Sequence, residues 1–173
     1  MNKKVVIFGG SGYIGRKIAQ RFKELNYRVL ISSRHKEKLK NVDNNFEFFY
    51  WDIHNQSLAF SILENADVII NLIGEPIFQR LTKRAKERIW NSRILSNQKI
   101  VGEILKTNYK DKIFISASAI GYYGNRGDEI LTEDSNPGND FLADLCQNWE
   151  KTVFSITRTW CENYNFKIWN SFG

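Results

Sequence analysis

Little in this chain invites metal or disulfide chemistry. Its 173 residues include two cysteines, Cys146 and Cys161, and two histidines, His35 and His54. Two cysteines make no disulfide framework, and neither C-x-x-C nor H-E-x-x-H spacing occurs, so no metal site is expected. With so few thiols, a reducing cytoplasm is the default compartment. No apolar run approaches the roughly 18 residues that read as a membrane span, so no membrane partner is expected either. The N-terminus makes a poor signal peptide: Lys3 and Lys4 precede an apolar run, but glycines end it almost at once. Acid is the scarcer charge, 19 Asp and Glu against 25 Lys and Arg, for a net charge of +6. The basic residues are scattered, mostly at positions that should face water on helices. That pattern reads as a solvated surface rather than a nucleic-acid footprint, though its field would welcome a phosphate-bearing ligand.

What is present is a 42% hydrophobic, 25% charged composition, ordinary for a soluble globular protein, at a length that suits one well-buried domain. Strand and helix patterns alternate. Lys4 to Phe8 (KVVIF) reads as a buried parallel strand. Ile14, Ile18, Phe22 and Leu25 then recur at helical spacing, and Asn26 should end that helix. Arg28 to Ser32, Phe46 to Trp51, Asp67 to Ile73 and Lys112 to Ser116 read as further strands. Helices are expected over Ser57 to Ala66, over Leu81 to Lys106 with a break near Asn91, and over Asp140 to about Phe154. The alternation predicts an α/β fold, a Rossmann-like doubly wound parallel sheet, over residues 1–154, with 155–173 as a divergent tail. Gly121 to Gly138 forms a long polar loop of the kind that often carries function.

The most informative stretch is FGGSGYIGRKI, Phe8 to Ile18. Gly10, Gly12 and Gly15 read G-x-G-x-x-G, and Gly9, Gly12 and Gly15 are each three apart. Between a strand and a helix, this pattern signals a dinucleotide-binding loop. One glycine permits the tight turn, one lets the backbone approach a pyrophosphate, and one lets the helix pack closely. The candidate phosphate contacts are Gly9, Gly10, Ser11, Gly12, Tyr13, Ile14 and Gly15. The second strand ends ISSRHKEK, with no acid to accept hydrogen bonds from a ribose 2′-hydroxyl. Ser33 and Arg34 stand there instead, and a guanidinium can fork onto a 2′-phosphate. NADP is therefore the expected cofactor, with NAD second. The alternative is that Arg34 merely opens a basic surface segment with Lys36 and Lys38.

Beyond the loop, YWDI (50–53), NLIGEPI (71–77), NSRILSNQ (91–98), ISASAIGYYGNRGDEILTEDS (115–135) and DFLADLCQNWE (140–150) complete a recognisable set. From Lys4 to about Lys151 the chain resembles the epimerase family, an atypical branch of the extended short-chain dehydrogenases/reductases that is NAD-dependent epimerase/dehydratase-like. The resemblance implies a Rossmann fold, NADP binding and oxidoreductase or epimerase chemistry. It puts Asp52 and Ile53 near the adenine, although Asp52 also reads as a helix cap. It makes Asn71, Leu72, Ile73 and Gly74 the floor beneath the nicotinamide half. It matches Ser118 to the serine that ends the fifth strand in active relatives, where a strand-end serine bonding backbone is the plainer reading. The partnering Tyr-x-x-x-Lys is missing: the helix reads Phe141-Leu142-Ala143-Asp144-Leu145-Cys146. Tyr13 and Lys17 match formally but lie inside the phosphate loop. Tyr122 and Tyr123 are the substitute proton donors, and a phenol without a lysine is a poor base at neutral pH. Cys146, in mid-helix, reads as a small buried side chain rather than a nucleophile.

The resemblance ends near Lys151. TRTWCENYNFKIWNSFG keeps no trace of the next expected strand, which reads as loss of a C-terminal substrate lobe through a frameshift, a gene split or an artificial end. An uncovered sheet edge, or a weak patch from Tyr164 to Trp169, would then favour self-association. Three readings follow: part of an NADP-dependent enzyme, a non-catalytic nucleotide-binding or sensing domain, or an inactive remnant. The substrate is not legible.

Overall fold

The computed structural model describes residues 3–35, 46–106, 112–159 and 169–170. The elements run β1 (Lys4–Phe8), α1 (Tyr13–Glu24), β2 (Arg28–Ser33), β3 (Glu47–Tyr50), α2 (Phe60–Leu63), β4 (Val68–Asn71), α3 (Lys83–Leu105), β5 (Ile113–Ser118), α4 (Phe141–Thr159) and β6 (Trp169–Asn170). All strand pairs are parallel, in the order β3-β2-β1-β4-β5-β6. The order reverses between β1 and β4. In an open doubly wound sheet, that switch point leaves a crevice at the carboxyl ends of the strands.

Both faces of the sheet are covered, which is why β1 reads as an unbroken apolar run. Val5 and Ile7 pack with Val29, Ile31, Ile70 and Ala19 of α1 on one face. Val6 and Phe8 pack with Leu30, Ile69, Phe114, Ile100 and Val153 on the other. Each fully buried side chain of this size contributes about 1.5–3 kcal/mol of hydrophobic stabilisation. A smaller cluster, Ile89, Ile94, Leu145 and Trp149, joins α3 to α4.

Asn26 ends α1 as expected, and the geometry says how. Its φ is +59°, in the left-handed region that asparagine tolerates. The Asn26 N–H donates to the Lys23 carbonyl and the Tyr27 N–H to the Phe22 carbonyl, a Schellman arrangement. The Phe22 and Tyr27 rings meet edge-on at 4.9 Å, supplying the hydrophobic contact that accompanies such a cap.

Some elements differ from the sequence expectation. No break occurs near Asn91: α3 runs 23 residues, with Thr82 Oγ1 accepting the Ala85 N–H at its start. The polar Ser92 beside Asn91 has partners outside and along the helix. Ser92 Oγ donates to the Ile89 carbonyl and accepts the Glu75 N–H. The helix expected over Ser57 to Ala66 shrinks to Phe60–Leu63: Ala59 is still extended before it, and Asn65 turns left-handed at φ +54° just beyond it. Position 154 lies inside α4, which continues to Thr159. Most of the weak strand expected over Tyr164 to Trp169 lies outside the described residues; Trp169 and Asn170 pair with Ala117 and Ser118.

Candidate nucleotide-binding site

The glycine loop leaves β1 at the switch point and enters α1. Gly9 has φ +74°, and a Cβ there would lie 2.9 Å from the Leu72 backbone carbon, so the β1 and β4 loops touch. The Gly9 N–H donates to Ser32 Oγ at 3.1 Å, bracing the loop against β2. A Cβ on Gly10 would meet Ile31 Cγ2 at 2.7 Å, and one on Gly15 would meet Gly10 Cα at 2.5 Å. These positions need glycine for the chain's own packing. Gly12 does not: its Cβ would approach only Gly9 O, at an ordinary 3.5 Å, and its φ of −77° suits any residue. With no Cβ at position 12, the loop backbone is open to close approach from the crevice.

Gly12 is also the N-cap of α1. No side chain caps that helix, and its first turn holds no acid. By contrast, Thr82 caps α3, and Asp140 Oδ1 accepts the Ala143 N–H of α4 at 2.9 Å. The free N–H groups and positive dipole end of α1 therefore face the crevice, suited to an anion.

At the end of β2, Ser33 is buried and its hydroxyl accepts the His35 N–H at 3.1 Å. Arg34 projects outward with a side chain 71% exposed, its guanidinium 3.8 Å from the Glu75 carboxylate in the loop after β4. Arg88 approaches the same carboxylate at 3.5 Å. Asp52 is turned to local use. Its Oδ1 accepts the His54 N–H at 2.9 Å and its Oδ2 accepts Asn55 Nδ2 at 2.7 Å, bonds that hold its carboxyl below the usual range. Ile53 packs against the core.

Asn71 differs from the other floor residues. It is fully buried, and its Nδ2 donates to Asn97 Oδ1 at 2.6 Å and Ser96 Oγ at 3.0 Å. Its Oδ1 accepts the Ile73 N–H at 3.1 Å, and Asn97 Nδ2 donates to Ser116 Oγ at 3.1 Å. This satisfied buried network ties β4 to α3 and β5. The Asn71 side chain thus fixes the loop after β4 through the Ile73 N–H.

Ser118 ends β5, and its hydroxyl donates to the Glu150 carboxylate of α4. Burial pushes the Glu150 carboxyl above its ordinary range, against the opposing effect of that hydrogen bond. Tyr122 and Tyr123 sit in a 3₁₀ turn after β5 with ring centroids 5.2 Å apart. Burial and the nearby Glu133, Glu150 and Asp134 carboxylates push the Tyr123 phenol up, which makes it a weaker acid. Cys146 is buried and its thiol is pushed up to about 11, chiefly by burial, so it is a neutral thiol at pH 7. In the α4 stretch that lacks the tyrosine and lysine, Ala143 and Leu145 are buried. Glu150, Arg93, Ser96 and Asn97 lie within the motifs read from the sequence but received no role there. Only their partners in space reveal one.

This frame has clear counterparts. The family model for the NAD dependent epimerase/dehydratase family matches residues 5–150, and the chain belongs to that family. It is 30% identical over 156 residues to a chloroplastic SDR39U1 homologue of Arabidopsis thaliana, an epimerase family protein, covering 89% of this chain and 45% of the relative. It is 32% identical over 148 residues to the epimerase family protein YfhF of Bacillus subtilis, covering 85% of this chain and 48% of the relative. The chain thus spans about half the length of such relatives. Among solved structures, a nucleoside-diphosphate sugar epimerase from Corynebacterium glutamicum matches with TM-score 0.72 at 32% identity, over 91% of this chain and 32% of that one. The human epimerase family protein SDR39U1 with NADPH matches in fold with TM-score 0.69 at 23% identity, over 87% of this chain and 48% of that one. Among the described residues no helix is long and apolar enough to cross a membrane.

Proposed function

We propose that this chain is the dinucleotide-binding part of an epimerase-like oxidoreductase and takes NADP(H) in preference to NAD(H). The observation that carries this reading is the uncapped start of α1 at the switch point, with Gly12 free of any packing demand beside it. The residues fit such a cofactor. Gly9 to Gly15 would hold the pyrophosphate and Arg34 the 2′-phosphate, with the buried Ser33 bracing the turn at His35, and Leu72 to Gly74 would form the floor of the other half. When bound, the cofactor would supply a hydride donor or acceptor. Relatives named for NADPH and for NAD both occur among the structural neighbours, and the absence of an acid at the end of β2 favours the phosphorylated form.

The chain's own proton chemistry would centre on Ser118. Its hydroxyl can exchange a proton with a substrate oxygen only if Glu150 accepts or returns one behind it. Tyr122 and Tyr123 are the other candidates, and the raised Tyr123 phenol speaks against a base there. That observation favours a second reading, a domain that binds the nucleotide without turning over a substrate. Titration of the protein with NADPH and with NADH, followed by cofactor fluorescence, tests the binding. Saturation by NADPH at lower concentration than NADH is expected; no saturable signal with either would overturn the proposal.

A further inference from the structure

Arg93 of α3 lies behind the loop that follows β4. Its Nη1 donates to the carbonyls of Glu75 at 3.0 Å and Ile89 at 3.2 Å. The guanidinium lies over the Trp149 ring, 5.2 Å from its centroid. Towards the crevice stands Gly74, where a Cβ would come within 2.9 Å of Nη2. Glycine at 74 therefore lets a guanidinium press against the back of the loop backbone.

This cation has no acid of its own. Among the described residues no carboxylate is within ion-pair distance of it, and the Glu75 carboxylate is taken by Arg34 and Arg88. Two groups act on Arg93 electrostatically. One is Glu75; the other is the Cys146 thiol, which is neutral at pH 7. Even with Arg34 turned to a 2′-phosphate, the Arg88 and Arg93 guanidinium groups outnumber the Glu75 carboxylate and leave a local excess of positive charge. Burial lowers the Arg93 pKa, yet a guanidinium stays charged at any ordinary pH.

The two halves of such a sheet bind the two halves of a dinucleotide. The adenosine half belongs with β2, so the β4 and β5 ends serve the nicotinamide half. The oxidised nicotinamide carries a positive charge and the reduced ring carries none; the two cofactors are otherwise nearly the same molecule. We propose that Arg93 is a fixed positive charge behind the nicotinamide half of the crevice, and that it makes this domain bind the reduced cofactor more tightly than the oxidised one. The proposal rests on the cofactor reading above. Arg93 acts here as a positioning and electrostatic residue and donates no proton.

The test is the ratio of dissociation constants for NADP⁺ and NADPH, measured by calorimetry on the full chain. The parent should favour NADPH. Arg93→Gln should reduce that ratio about 5- to 10-fold, the scale of one charge acting across a partly buried gap. Arg93→Lys should keep most of it. A purely structural role would weaken both cofactors by one common factor, so an unchanged ratio in Arg93→Gln overturns the proposal. A parent ratio near one does the same. If Arg93→Gln does not fold, the parent and Arg93→Lys carry the test, and loss of the preference in the lysine variant overturns it. A parent that binds neither form would overturn the cofactor reading itself, and the preference with it.

Discussion

Gly12 and Gly15 are three residues apart in one loop, and the structure assigns them opposite failures. In Gly15→Ala the new Cβ would meet Gly10 Cα at 2.5 Å and Gly9 O at 2.8 Å. Both are backbone atoms, so no side chain can swing aside. Overpacking of this kind costs up to about 3 kcal/mol, and the alanine returns about 1 kcal/mol of helix propensity. The net loss is about 2 kcal/mol, or a melting point lower by about 4–8 °C at this chain length. In Gly12→Val the new Cβ meets only Gly9 O, at an ordinary 3.5 Å. The variant forfeits only a favourable N-cap residue, about 1 kcal/mol or 2–4 °C. Its side chain would stand where the phosphate must approach, so NADPH affinity should fall at least about 100-fold, equal to about 2.7 kcal/mol. Thermal melts and NADPH fluorescence titrations of the two variants separate these outcomes. A Gly12→Val protein that binds NADPH like the parent would refute the assignment of that position to the phosphate. A Gly15→Ala protein as stable as the parent would refute the packing argument.

Arg34→Ala should weaken NADPH by about 1–3 kcal/mol, the loss of a charge-assisted contact, and leave NADH almost unaffected; equal losses for both would show that Arg34 does not meet the 2′-phosphate. Glu150→Gln should stabilise the fold at neutral pH, because burial raises the folded carboxyl above its unfolded value. That raised value means the native carboxylate carries a penalty that grows as pH rises through the folded pKa and vanishes below the ordinary carboxylate range. Melting curves at pH 4 and pH 7 should therefore converge for parent and variant at the lower pH, and a constant difference would contradict the sign. Sugar nucleotides and simple carbonyls should give no appreciable NADPH oxidation, since α4 offers no phenol or ammonium over Phe141 to Cys146, a contribution typically worth about 10²–10⁴-fold. Robust turnover lost in Ser118→Ala would overturn that expectation.

The parts of this protein legible in its sequence are those governed by local rules. The β1 run, the glycine spacing and the Asn26 stop each act within a few residues, and each appears where the pattern put it. The strand alternation carried the sheet class for the same reason. Polar residues with distant partners were harder to read. A helix break was expected near Asn91, and the sequence does not show the neighbouring Ser92 holding the Glu75 N–H. Asn71 looked like a ligand contact, yet Ser96 and Asn97 of α3 claim its side chain. Glu150 sits 32 residues from Ser118, and no spacing rule joins a strand-end serine to an acid that far along the chain. Arg93 is visible only through Gly74 and Trp149, which close over it from other elements.

A nicotinamide dinucleotide bound across the switch point would set its phosphates on the bare end of α1. Amide spectra of ¹⁵N-labelled protein during an NADPH titration test this placement most directly. Saturable shifts should concentrate at Gly9 to Gly15, with smaller ones at Arg34 and at Leu72 to Gly74. Saturable shifts that spare Gly9 to Gly15, or no saturable shifts at all, would contradict it.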